Sequence, residues 1–147
     1  MYYVNREQID LRLSALPGVA DALESLAADW RGTLLQGLAQ ERALHLAGEI
    51  VTDIGSYLID GFLMRDASSY EDIVEIIGEE GVFPAERKAP LAELVRLRKP
   101  LVQDYWRWDR AALHPLTPRL PDVLRAFRRD VESYLERELG PAPRGRR

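Results

Sequence analysis

The stretch WRGTLLQGLAQERALHLAGEIVTDIGSYLIDGFL, residues 30–63, carries the longest helical pattern in the chain. Its apolar residues recur every three or four positions, which predicts an amphipathic helix with one broad apolar face. A helix of about 30 residues would be about 45 Å long, a length typical of the central helix of a bundle. The residues of the apolar face are Leu34, Leu35, Leu38, Ala43, Leu46, Ala47, Ile50, Val51, Ile54, Leu58 and Phe62.

A second helical pattern lies near the N-terminus. Asn5 followed by Gln8 is typical of an N-cap residue and its capping-box partner. Apolar residues then recur at helical spacing as far as Leu26, which predicts a single apolar stripe. Pro17-Gly18 interrupts the stripe, and we expect a kink or a break there.

Three further helices are predicted toward the C-terminus. Ser68 and Glu71 form a capping-box pair that opens the first of them. The next pattern covers residues 91–106 and contains Pro100, which should kink the helix or remove one backbone hydrogen bond. The last pattern covers residues 122–139.

These patterns together predict the fold class. No segment shows the alternation expected of a strand, so we predict an all-α bundle of about five helices with one long central helix. A chain of 147 residues fits one domain, which we place at residues 1–140. Residues 141–147 are predicted to be a flexible C-terminal tail.

The composition excludes several classes of protein. Apolar residues make up 46% and charged residues 30%, an ordinary globular balance. The absence of cysteine excludes a disulfide scaffold, a cysteine nucleophile and thiolate metal sites, and two histidines are too few for a histidine-rich metal site. Nucleotide-binding glycine motifs are also absent, so we expect no cofactor and no metal. No apolar run reaches the roughly 20 residues of a membrane span and no secretory signal opens the chain, so we expect a cytoplasmic protein without a membrane partner.

Charge is distributed unevenly along the chain. Residues 1–80 hold 5 basic and 15 acidic residues, whereas residues 81–147 hold 15 basic and 9 acidic residues. One interpretation is that the second half forms a phosphate-binding face, because arginine grips phosphate in bidentate fashion. The other is that the two halves pack together and pair their charges.

A line of polar residues runs beside the apolar face of the long helix. Glu49 and Asp53 belong to it, and Arg42 and His45 extend it toward the N-terminus. One interpretation is a solvated helix face. The other is the acidic wall of an active site or of a contact between two copies of the chain.

A second candidate cluster lies in the predicted fourth helix. Arg98, Val102 and Tyr105 would share one face of that helix, being four and seven residues apart. Gln103 would lie about 140° around the helix from Arg98 and about 7.5 Å further along its axis. A phosphate held by Arg98 would then be within reach of Gln103. The alternative is a basic and aromatic surface stripe without a catalytic role.

The string RKPLVQDY, residues 98–105, resembles the signature of HepT-like proteins of the HEPN superfamily, often written R-N-x-L-V-H-x-Y. The order and spacing of further segments resemble the same family over residues 5–138. These segments are residues 49–55, 58–62, 69–73 and 80–83.

The resemblance implies a small all-α homodimer, in which two copies of the motif face each other and form a metal-independent ribonuclease site. It also implies the toxin of a toxin–antitoxin pair, whose nucleotidyltransferase antitoxin attaches AMP groups to the motif tyrosine. By position, Arg98 matches the family arginine and Tyr105 the modified tyrosine. The residues expected to support this site are Glu49, Asp53, Lys99 and Asp104.

The sequence departs from the family pattern at Gln103, which stands where the family has histidine. Histidine titrates near neutral pH and can serve as general acid and base, whereas glutamine only donates or accepts hydrogen bonds. Neither histidine of the chain is an obvious replacement. We expect His45 to be a partly buried residue of the long helix and His114 to be a turn residue in a proline-bounded connector.

We therefore expect a HepT-like RNA endonuclease that cleaves at a dimer cleft. Its substrate would be RNA, and tRNA is one candidate. Arg98 would bind the scissile phosphate, Gln103 would orient the 2′-hydroxyl or the phosphate, and Tyr105 would be the modification site. The alternative is a catalytically impaired family member that acts as an RNA- or protein-binding helical dimer. A helical dimer with a purely structural role is a third hypothesis.

Overall fold

The computed structural model describes residues 2–140, and these residues form an all-helical structure without strands. The predicted all-α class is confirmed. The predicted tail, residues 141–147, lies outside the described residues, and the placement of one domain at 1–140 stays a prediction. The helices are α1 (Arg6–Ala28), α2 (Leu34–Gly61), α3 (Tyr70–Glu79), α4 (Lys88–Arg96), α5 (Arg98–Val102) and α6 (Leu116–Leu139).

The helix N-termini begin at side-chain caps close to those predicted. The side chain of Asn5 accepts a hydrogen bond from the Gln8 backbone N–H, as the sequence indicates for α1. The cap of α3 is one residue later than predicted, because Ser69, and not Ser68, accepts from the Asp72 N–H at 3.0 Å. Each cap satisfies one of the backbone donors that a helix start leaves free.

The long helix α2 is the centre of the bundle, and α1, α3, α4, α5 and α6 all contact it. Its buried face extends from Gly37 to Gly61, but the apolar side chains of its first turns do not belong to that face. Leu34, Leu35 and Leu38 are 67%, 80% and 44% exposed. These three leucines of the predicted apolar face therefore lie outside the core and form an apolar surface.

Helix α1 continues through Pro17, so of the two predicted alternatives the break is wrong, while the kink stays a prediction. Proline removes one helical hydrogen bond. The buried stripe of α1 continues on both sides of Pro17, from Ile9 to Leu23, against α2 and α6. Burial of that stripe stabilises the two halves as one helix and offsets the missing bond.

The connector between α5 and α6 folds back against the first half of α2. A β-carbon at Gly37 would lie 2.3 Å from the Arg110 carbonyl oxygen, so only glycine permits this approach. Gln40 is completely buried and its amide fastens the connector. Its Oε1 accepts from the His114 N–H at 2.8 Å and the Thr117 hydroxyl at 2.6 Å, and its Nε2 donates to the Ala112 carbonyl at 3.1 Å.

We predict that Gln40→Ala lowers the free energy of unfolding by about 3 kcal/mol, because the buried Thr117 hydroxyl and two backbone groups of the connector would lose their partner. Thr117→Val removes a single hydrogen bond at nearly constant volume and should cost about 1 kcal/mol. Urea denaturation of the three proteins measures both changes. Equal costs for the two variants would contradict the anchoring role of Gln40.

His114 makes stability depend on pH. Its Nδ1 accepts from the Leu116 N–H at 3.0 Å, and its ring stacks on Trp108. Burial lowers the pKa of His114, against a smaller opposing effect of Glu93. Because the folded pKa lies below the unfolded one, the stability that neutral His114 contributes is complete above the unfolded pKa of about 6.5. It is lost as the pH falls through the folded value.

We therefore expect the wild type to lose more stability between pH 7.5 and 5.5 than His114→Asn, whose amide oxygen accepts without titrating. Urea denaturation at the two pH values measures this. Identical losses in the two proteins would show that His114 does not control the acid side of stability.

Candidate active site

Pro100 ends α4 and thereby places Arg98. A proline inside a helix clashes with the carbonyl four residues earlier, here that of Arg96, and offers it no N–H. Accordingly α4 ends at Arg96, the Leu97 N–H bonds to the Leu94 carbonyl at 3.1 Å, and α5 begins at Arg98. The single helix predicted over residues 91–106 is thus divided into α4, α5 and a 3₁₀ turn at Tyr105–Arg107.

Arg98 is held on two sides and open on the others. Its Nη1 donates to Glu49 Oε1 at 2.5 Å, and its guanidinium carbon lies 4.2 Å from the ring centroid of Tyr70. The hydrogen bond to Glu49 raises the pKa of Arg98. The Arg98 side chain remains 33% exposed. A guanidinium has five N–H groups, so a fixed cation with free donors faces solvent here.

His45 shares the carboxylate that holds Arg98. Its Nε2 lies 3.3 Å from the same Glu49 Oε1, and its Nδ1 lies 3.2 Å from Arg42 Nη1. Because a guanidinium can only donate, Nδ1 accepts from Arg42, and Nε2 of the neutral ring donates to Glu49. The residues Arg42, His45, Glu49 and Arg98 therefore form one connected polar row, which we call the Arg98 row.

The sequence pattern indicates no catalytic role for His45, but in the structure a single carboxylate, that of Glu49, links His45 to Arg98. The expected partial burial is observed, since the His45 side chain is 28% exposed. A signal for this arrangement exists in the sequence, because residues four apart face each other along a helix, as His45 and Glu49 do. What the sequence does not reveal is that Arg98 of another helix meets the same oxygen.

Asp53 lies one turn after Glu49 but is engaged with α1. It accepts from Arg12 Nε at 3.3 Å, and the Arg12 guanidinium lies 5.1 Å from the ring centroid of Tyr57. The structure therefore brings Glu49, and not Asp53, into contact with Arg98. Asp53 nevertheless contributes to raising the pKa of Arg98 through its charge.

Lys99 and Gln103 lie on the exposed side of α5. Gln103 caps the C-terminus of the helix through its backbone N–H, which bonds to the Lys99 carbonyl at 2.8 Å. Within residues 2–140, neither side chain makes a hydrogen bond or an ion pair, so no hydrogen bond joins Gln103 to Arg98. The predicted pairing of Arg98 and Gln103 around a phosphate stays a prediction.

Tyr105 lies beyond the end of α5, in the 3₁₀ turn, so the shared helical face of Arg98 and Tyr105 is not observed. Tyr105 is 55% exposed and the next residue, Trp106, is 64% exposed. In the described part of the chain, no hydrogen bond engages the Tyr105 hydroxyl. Asp104, which precedes this turn, is half-buried and lines the same cleft as Pro100.

Part of the charge asymmetry is explained by pairing between the two halves of the chain. Five basic residues after position 80 pair with carboxylates before it, which supports the pairing interpretation for these residues. The pairs are Lys88–Glu75, Arg96–Glu71, Arg98–Glu49, Arg110–Glu41 and Arg125 with Asp21 and Glu24. Most of them are exposed and therefore contribute little stability.

The fold and the Arg98 row define an all-helical protein with an arginine–carboxylate centre on its surface. The sequence model of the family "Ribonuclease HepT-like" matches residues 19–129. The chain belongs to the ribonuclease HepT-like family, as the string at residues 98–105 predicts.

Relatives support the assignment over nearly the whole chain. The curated protein "Putative RNase YutE" of Bacillus subtilis (strain 168) is 37% identical over 141 residues, 96% of this chain and 96% of that protein. A solved structure of YutE from Bacillus subtilis, described as a cytosolic protein of unknown function, superimposes with a TM-score of 0.89 at 36% identity. The superposition covers 97% of this chain and 99% of that one. Among the described residues, no helix is long and apolar enough to cross a membrane.

We predict that Arg98→Ala changes the free energy of unfolding by about 1 kcal/mol or less, because a partly exposed ion pair contributes little. Arg96→Ala is the matched control, since Arg96 is also paired with a carboxylate, Glu71, at 2.6 Å. Urea denaturation compares the two variants with the wild type. A much larger loss for Arg98→Ala than for Arg96→Ala would assign Arg98 a structural role.

Proposed function

We propose that this protein is a metal-independent RNA endonuclease whose reaction takes place at the Arg98 row. The observation that carries the proposal is the single oxygen of Glu49 that binds both Arg98 and His45. Membership of the ribonuclease HepT-like family supports RNA as the substrate class. The row supplies both the fixed positive charge and the titratable group that RNA cleavage requires.

Cleavage by the neighbouring 2′-hydroxyl requires three contributions. A base removes the 2′-hydroxyl proton, an acid protonates the leaving oxygen, and a cation stabilises the charge on the phosphorane. The 2′-oxygen bonds to phosphorus as the bond to the 5′-oxygen breaks, which yields a 2′,3′-cyclic phosphate and a 5′-hydroxyl. No water or metal enters this step.

Arg98 is suited to the phosphate. Glu49 occupies one of its five N–H groups and fixes the guanidinium plane, so the exposed edge can grip two phosphate oxygens. Its fixed position means that little reorganisation is needed when charge develops on the phosphorane. Glu49 acts through Arg98 and His45, and we assign it a positioning role.

His45 is suited to the proton transfer that Gln103 cannot perform. Its Nδ1 accepts from Arg42, an exposed side chain that is free to turn toward the RNA backbone. That movement leaves the Nδ1 lone pair available to the 2′-hydroxyl. Gln103 then contributes hydrogen bonds that orient the 2′-hydroxyl or the phosphate.

A second copy of the chain completes the site in this proposal. Leu34, Leu35 and Leu38 form an exposed apolar surface on the first turns of α2, and Tyr105 is exposed in its own turn. Arg110 joins the two regions, since it pairs with Glu41 at 2.6 Å and donates to the Tyr105 carbonyl at 3.4 Å. Such a surface is suited to burial against its own copy, which would place two Arg98 rows near one cleft.

The toxin role and the modification of Tyr105 belong to the same proposal. The Tyr105 side chain is exposed, and a nucleotidyltransferase antitoxin could reach it without unfolding the turn. An AMP group on Tyr105 would add negative charge and bulk beside the proposed dimer cleft, where both oppose RNA binding. Total RNA and a tRNA pool are the appropriate first substrates.

We predict that the wild type cleaves RNA in EDTA and that His45→Gln and Arg98→Ala each reduce the rate by about 10²–10⁴-fold. Arg96→Ala is the control for loss of a surface arginine and should retain the wild-type rate. Cleavage of a tRNA pool under single-turnover conditions, followed on denaturing gels, measures the rates. A His45→Gln protein with the wild-type rate would remove His45 from the mechanism.

Gln103→His separates the proposal from its alternative. With His45 as the acid–base group, this variant adds a second titratable group to a site that is already active. A wild type without activity, together with an active Gln103→His variant, would contradict the proposal. That result would instead support a catalytically impaired dimer that binds RNA or protein.

A further inference from the structure

A cleft of about 340 Å³ lies against the side of α5 that does not meet Glu49. Its walls include Pro100 and Asp104 at one end and Trp108, Ala112 and His114 at the other. The volume is within the range of small-molecule sites in proteins. None of the catalytic roles proposed above uses this cleft.

Two stacked rings, Trp108 and His114, form part of the cleft wall. The centroids of Trp108 and His114 lie 5.5 Å apart, and their planes differ by 15°. The stack is fixed, because the hydrogen bonds of the His114 backbone and ring hold it between Gln40 and Leu116. Rigid, parallel rings are the surfaces on which unpaired nucleobases stack in RNA-binding proteins.

Trp108 also carries an unsatisfied donor. Its Nε1–H is shielded from solvent and has no hydrogen-bond partner among residues 2–140. Buried indole N–H groups usually donate to an acceptor, and the described residues supply none for Trp108.

The charges of the cleft suit a base better than a phosphate. Asp104 and Asp109 line it, with Arg107 as the accompanying cation. Two carboxylates repel a phosphate, whereas they accept hydrogen bonds from the amino and imino groups of base edges. Arg107 lies against the exposed Trp106 ring, with its guanidinium carbon 4.6 Å from the centroid.

The cleft and the Arg98 row occupy opposite sides of the same short helix. Arg98 begins α5, Pro100 in its middle reaches the cleft, and Asp104 follows its end. We infer that the cleft receives one unpaired nucleobase of the RNA whose phosphate Arg98 holds. This inference rests on the proposed function, and it makes the substrate a single-stranded or looped RNA with a preferred base near the cleaved bond.

Binding of nucleoside 5′-monophosphates tests the cleft without requiring cleavage. Isothermal titration of the full chain with AMP, GMP, CMP and UMP is compared with ribose 5-phosphate, which has no base. We expect at least one nucleotide to bind about tenfold or more tightly than ribose 5-phosphate, as a stacked base predicts. Equal binding of all five compounds, or none at all, would overturn the inference.

Two variants locate the binding. Ala112→Phe places a ring in the cleft and should abolish the preference for the nucleotide. Ala111→Phe is the matched control, because Ala111 is also exposed but does not line the cleft, and it should bind as the wild type does. Loss in both variants, or in neither, would contradict a site in this cleft.

Cleavage of a tRNA pool by the same variants distinguishes the two proposals. If the wild type binds a nucleotide, loses this binding in Ala112→Phe and does not cleave RNA, the base-binding site is supported and the proposed nuclease function is contradicted. If the wild type binds no nucleotide and Ala112→Phe cleaves RNA at unchanged positions, the nuclease function is supported and the base-binding site is contradicted. Altered cleavage positions in Ala112→Phe alone would support both.

Discussion

Burial of one face of α2 is the constraint on which the rest of the structure depends. The five other α-helices of residues 2–140 all contact α2, so the packing against α2 determines where their residues lie. The buried face sets the rotation of α2 about its axis, and this rotation places the adjacent polar edge at the surface. His45 and Glu49 lie on that edge, so the packing of the core determines where the candidate site faces solvent.

Two further residues convert this frame into a site. Pro100 divides the fourth predicted helix into α4 and α5. Arg98 begins α5, and its side chain binds Glu49 of α2. Gln40 holds the connector after α5 and the first turn of α6 against α2 through three hydrogen bonds. Together they place a cation–carboxylate–histidine row on one side of α5 and an aromatic cleft on the other. The short helix thus separates the proposed chemistry from the proposed recognition of a base.

Much of the fold can be predicted from the sequence, because periodicity and caps are local signals. Asn5 and the α2 pattern predict their helices correctly, and RKPLVQDY predicts the family. The errors arise where tertiary contacts decide. Packing of its buried stripe keeps α1 unbroken at Pro17. Leu34 and Leu35 fit the helical pattern, but no other residue within 2–140 buries them. His45 is missed for the same reason, since its proximity to Arg98 exists only after α2 and α5 have packed.

The central claim is that Arg98 and His45 act as one unit on RNA through the shared Glu49 oxygen. A double-mutant cycle of single-turnover cleavage rates, using Arg98→Ala, His45→Gln and the combined variant, tests it most directly. The account predicts that the combined variant cleaves no more slowly than the slower single variant, because loss of either group already disables the unit. Rate losses that multiply in the combined variant would show two independent contributions and contradict the account.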